Sequence, residues 1–192
     1  MSVKENLEDI VLSQVEDSLY LLMDDLEKRK NYYTDNYAQQ INLIIAEIEN
    51  AHASNLIDEL SILSFELSRI SIDTGIYMNK VKTYKESLYI KPFPIKHRLD
   101  VSSIFQYFSH AKNCLYEKNQ KNVFGLQLCE IDSEMNAYIP YFNMFAVNIL
   151  RDVFNTEEIT KSINRLKTAG EFFVVLHEIY EPPYLLFEKK GR

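Results

Sequence analysis

The chain has 192 residues, 46% of them apolar, with 21 Lys plus Arg against 28 Asp plus Glu for a net charge of −7. At about 150 residues per domain this is one domain or two, with enough apolar content to exclude disorder throughout. The acidic balance argues against broad contact with phosphate backbones, and four glycines without a GxGxxG or GxxxxGK[ST] pattern exclude a Gly-rich phosphate loop. No nucleic-acid partner, cofactor or metal is therefore expected. A membrane span is not expected either, since no apolar run approaches the ~18 residues it needs. Cys114 and Cys129, in a chain with no signal-peptide pattern, read as reduced thiols of a cytoplasmic protein.

From Met1 to Tyr89 there is one glycine, Gly75, and no proline; every proline lies further on. This shift predicts a helical stem over residues 1–89 and a small α/β domain over 90–192, because Lys91-Pro92-Phe93-Pro94 cannot continue a helix. In the stem, Leu12, Val15, Leu19, Leu22 and Leu26 step by three and four, and Tyr33, Tyr37, Ile41, Ile44, Ile48 and Ala51 carry the stripe onward. A break is predicted at Ala51-His52-Ala53-Ser54-Asn55, with Ser54 or Asn55 capping the next helix. Leu56, Leu60, Leu63, Leu67, Ile70, Tyr77, Val81, Tyr84 and Leu88 then keep a 3.5-residue period that only Thr74 and Gly75 interrupt. Such a seam predicts the second arm of a long helical hairpin, which pairs with a second copy as a dimeric four-helix bundle.

In the second part, Asp100 reads as the cap of a helix whose apolar face is Val101, Ile104, Phe105, Phe108, Ala111 and Leu115. Phe124, Leu126 and Leu128 alternate as a strand does. Pro140 suits the first turn of a helix carrying Phe142, Phe145, Ala146, Ile149, Leu150 and Val153. Asn155 or Thr156 caps a further helix that Gly170 ends. Glu171 to Ile179 and Tyr184 to Glu188 read as two strands about the Glu181-Pro182-Pro183 turn. The fold class is α+β and mostly helical: a helical hairpin, then an α/β layer of about three strands.

Chemistry is sparse. His52, His97, His110 and His177 have no partners at metal-ligand spacing, and no HExxH, CxxC or GxSxG pattern exists. Glu8-Asp9 and Asp24-Asp25 read as solvated helix faces. The residues alone point to no enzyme.

The order of elements resembles the transmitter core of two-component sensor histidine kinases. In that family a dimerising helical hairpin bears a phosphoacceptor His and a GHKL-type ATP-binding domain follows. Leu88-Tyr89-Ile90-Lys91-Pro92-Phe93-Pro94 and Leu99-Asp100-Val101-Ser102-Ser103-Ile104 resemble the passage between the two. Val123 to Glu130 sits where the family has a strand, and Asn148-Ile149-Leu150-Arg151-Asp152-Val153-Phe154-Asn155-Thr156 resembles its N-box. The departures imply a degenerate, non-catalytic relative. With Ile41-Asn42-Leu43-Ile44-Ile45 set against the end of the H-box, Asp35 stands in the place of the phosphorylated His. Asn148 opens the N-box, and Asp152 stands in place of its Mg²⁺-holding Asn. At Gly191-Arg192 a DxGxG box would only be starting.

The resemblance implies a homodimeric, pseudokinase-like regulator in a two-component-like signalling pathway. It acts by protein–protein binding, and its partners are receiver domains or sensor kinases. An unrelated helical inhibitor or immunity protein that neutralises a basic partner is the rival expectation. Histidine phosphotransfer through His52, at the expected hairpin turn, is the enzymatic one.

Overall fold

The computed structural model describes residues 3–86, 88, 91–120, 127–178 and 182–190. The chain is α+β, with long helices and one mixed five-stranded sheet among the described residues. It divides into two compact units, each made of two segments. One unit joins Met1–Lys30 to Ser102–Ala146, and the other joins Asn31–Val101 to Val147–Arg192. The junction read between 89 and 90 lies outside the described residues, and the segments on either side of it belong to the same sheet.

The first unit is helical. Helix α1 (Val3–Lys28) buries Leu7, Val11, Val15 and Leu22 against α4 (Ser102–Gln120) and α5 (Leu128–Asn136). Of the face predicted for α4, it buries Ile104, Phe105, Phe108, Ala111 and Leu115; Val101 is buried just ahead of it, and Asp100, read as its cap, is the last residue of a strand. Phe105 and Phe108 meet Phe142 of α6 (Ile139–Phe154) at ring-centroid distances of 6.3 and 5.4 Å. Lys112 ties α4 to Asp132 of α5 at 2.8 Å. Phe124 and Leu126 of the predicted strand lie outside the described residues. Leu128 begins a helix instead, because Gln127 and Glu130 close a capping box around its first turn.

The second unit contains α2 (Lys30–Ala53), α7 (Glu157–Arg165), the end of α6 and the sheet. Helix α2 ends where the break was expected. Asn55 at φ +52° is not the cap of a following helix, however. It occupies the left-handed position of a Schellman motif, with Asn55 N–H donating to the His52 carbonyl and Leu56 N–H to that of Ala51.

The predicted second arm of the hairpin is not a helix. Leu60, Leu63 and Leu67 lie in strand β1 (Leu60–Leu67), Ile70 in the short helix α3 (Arg69–Asp73), and Val81 and Tyr84 in β2 (Met78–Tyr84). Tyr77 precedes β2, Leu56 is exposed ahead of β1, and Leu88 lies in a turn, so the nine residues form no common seam. Thr74 and Gly75 are the turn itself, Gly75 at φ +69°.

The sheet order is β3-β2-β1-β4-β5, with β1 parallel to β4 and every other pair antiparallel. Strand β3 (Phe93–Asp100) takes in Pro94, which an edge position tolerates. β4 (Thr168–Glu178) and β5 (Tyr184–Lys189) match the two strands read in the sequence, although Gly170 lies inside β4 and α7 already ends at Arg165. Among the described residues the strands therefore number five and not three: the supposed stem supplies two and its supposed linker a third, beside the two expected ones, β4 and β5. Phe154 of α6 packs on Phe65 and Phe187 at 6.0 and 6.4 Å, covering one face of the sheet. Helix α2 clasps the edge strand: Glu47 accepts from the N–H groups of Lys96 (2.7 Å) and His97 (2.9 Å), and Gln40 Oε1 from that of Asp100 (2.7 Å).

Candidate functional site

Helix α1 has two apolar faces. The first is buried, as above. The second runs outward through Leu12, Tyr20 and Met23, which are 42%, 69% and 52% exposed. Spacings of eight and then three residues place these side chains on one stripe, and Glu16 and Glu27 fall on the same stripe between and beyond them. Leu19 and Leu26 border it, half-buried. The heptad set Leu12, Val15, Leu19, Leu22 and Leu26 is thus split, with Val15 and Leu22 inward and Leu12 outward. Helix α1 also holds eight carboxylates against two lysines, a net of −6 out of the chain's −7. Glu8, Asp9, Glu16, Asp17, Asp24 and Glu27 are all exposed. The field reaches Tyr138 beside Tyr141, the two rings 5.9 Å apart: burial first, then the charges of Glu134, Glu8 and Glu16, raise its hydroxyl pKa above the ordinary value.

A second cluster sits on the sheet. Ser64 and Glu66 on β1, Lys82 and Tyr84 on β2 and His177 on β4 share one face, since Ser64 is opposite Lys82 and Glu66 opposite His177. Glu66 is only 4% exposed. Lys82 Nζ reaches its carboxylate at 2.6 Å and the Tyr84 hydroxyl donates to it at 2.8 Å. His177 Nε2 lies 3.7 Å from the same carboxylate and 3.1 Å from Ser64 Oγ. Burial alone would push the Glu66 carboxyl up, but hydrogen bonds from His177, Lys82 and Tyr84, together with the Lys82 charge, hold it down at about 2. Ser64 is fully buried, so the Ser64–His177 pair offers no nucleophile to an outside substrate. A carboxylate saturated with donors inside a sheet is built to hold the strands in register.

His52 is not on an exposed face. It is 5% exposed in the last turn of α2, and neither ring nitrogen has a hydrogen-bond partner among the described residues. It lines a cavity of about 320 Å³ with Glu49, Ala53, Arg165, Leu166 and Lys167. Burial, then the neighbouring Lys167 charge, lower its pKa and favour the neutral ring. Such a ring is shielded from a receiver domain's phosphoaspartate. Asp35 is exposed on α2, and Asn148 and Asp152 are exposed one turn apart on α6. Among the described residues, no three His, Cys, Asp or Glu side chains come together as a metal site, and no helix is long and apolar enough to cross a membrane.

Neither the outward stripe of α1 nor the Glu66 cluster is among the candidate sites that the sequence pattern points to. The stripe was legible in principle, from the crowding of carboxylates into one helix. The cluster was not, because it needs the pairing of β1 with β4, which brings together residues 113 apart. No protein-family model, curated protein or solved structure matches the chain.

Proposed function

We propose that this chain is a non-catalytic regulatory or inhibitory protein that acts by binding a positively charged protein partner. One observation carries the reading: a single helix, exposed along one side, holds nearly all the net charge of the molecule, and its carboxylates flank an unburied apolar stripe. Charge of one sign on one face steers association with an oppositely charged surface, and an apolar strip inside it supplies area to bury on contact. Membranes with anionic headgroups and nucleic acids are repelled by the same field. A second copy is disfavoured too, since it would set carboxylates against carboxylates. The likeness to a histidine kinase core does not enter the proposal, because its hairpin arm is replaced by strands.

The test is a photo-crosslinking amino acid at position 20, introduced into the chain in its native cells. The expected product is a discrete adduct with a basic protein, lost when the cells are lysed in high salt before illumination. Absence of any adduct, or adducts with acidic proteins alone, would overturn the proposal.

A further inference from the structure

We infer that the partner presents a basic, amphipathic α-helix, laid along the Leu12–Tyr20–Met23 stripe of α1; this rests on the basic-partner reading and names the structural class of that partner. Helix α1 offers no free backbone edge, so a strand cannot be added to it as it can to a sheet, and affinity must come from side chains. The stripe from Leu12 to Met23 spans three turns, about 17 Å at ~1.5 Å per residue, a length that the apolar face of another helix matches. Its members stand at intervals of four, four and three residues once Glu16 is counted, so one acid falls between Leu12 and the Tyr20–Met23 pair and a second, Glu27, follows the pair. A facing helix with Leu or Ile on one side and Lys or Arg beside them would bury its apolar residues on Leu12, Tyr20 and Met23 and set its cations on Glu16 and Glu27. An extended basic segment would satisfy the acids and leave the apolar side chains wet, whereas a second α1 would cover the apolar residues and clash in charge. Tyr20, being large, rigid and the most exposed of the three, is the anchor.

The experiment titrates the whole protein with fluorescent peptides of about 18 residues, a length that covers the stripe with a turn or more to spare. The first is an amphipathic Leu/Lys helix, the second a scrambled peptide of the same composition without an apolar face, and the third a Leu/Glu helix. The Leu/Lys helix should bind about tenfold or more tightly than the scrambled one, weaken as salt rises from about 50 to about 300 mM, and lose about tenfold on Tyr20→Ser or Met23→Ser. Both side chains are exposed, so circular dichroism of the two variants should match the parent. Equal binding of the scrambled peptide, or none of the Leu/Lys peptide, overturns the helix inference while a crosslinked basic partner keeps the broader reading alive. Equal binding of the Leu/Glu helix removes both.

Discussion

Glu66 faces three donors at once, so neutralising it leaves the half-buried Lys82 ammonium without its counter-charge and weakens the acceptor of the Tyr84 hydroxyl and the His177 ring. Glu66→Gln keeps the volume and discards the charge; a loss of about 3 kcal/mol is expected, seen as a lower urea midpoint at pH 7 with an unchanged slope. The folded-state pKa of about 2 lies below the ordinary value of 4.5. The stabilisation from this group is thus complete above pH 4.5 and drains away as pH falls toward 2. The variant should have a flatter acid limb, and an unchanged limb would assign acid sensitivity to other carboxylates. His52 has the opposite chemistry. Its ring is a base whose folded pKa is lowered from 6.5, so the unfolded chain takes up a proton there more readily and stability falls as pH drops below 6.5. His52→Leu removes two polar atoms that have no partner among the described residues; it should gain about 1 kcal/mol at pH 7 and more near pH 5.5 in thermal melts. A loss of stability would mean that the ring is satisfied in solution.

Among the elements, the legible ones are those with one buried face. Helix α4 buries all of the predicted set but Val101, which precedes it, and Thr156 caps α7 by accepting from Ile159 N–H as its position before Glu157 and Glu158 suggests. Strand β1 carries two patterns at once. Leu63-Ser64-Phe65-Glu66-Leu67 alternates in hydropathy as a strand does, but Leu60, Leu63 and Leu67 also step by three and four as a helix does, and the leucine spacing continues into residues on either side. In β2 the alternating buried set is Asn79, Val81 and Thr83, two of them polar, which hid a strand behind Tyr77, Val81 and Tyr84. The clasp of α2 on β3 is invisible locally because it joins Glu47 to Lys96 and His97. Glu47→Ala should uncover two N–H groups on the sheet edge, lowering stability by about 1–2 kcal/mol and raising light scattering on warming. Melting without increased scattering would show that the edge is protected by other means.

For the molecule as a whole, glycine and proline usage suggested two consecutive parts, and two units do exist, but each is assembled from segments far apart in the chain. Composition marks where helices stop; it carries no information on which segments pair afterwards. That topology has a kinetic side. Strands β1 to β3 can form a meander once Asp100 has been made, yet the second edge of β1 remains open until β4, starting at Thr168, arrives. At ~5–20 residues per second, a ribosome needs several seconds to cover that interval. Throughout it, the nascent chain displays one unpaired edge of a strand that carries Leu63, Phe65 and Leu67. Synthesis therefore includes a period of exposure to misassembly that the finished sheet, with β1 at its centre, no longer has.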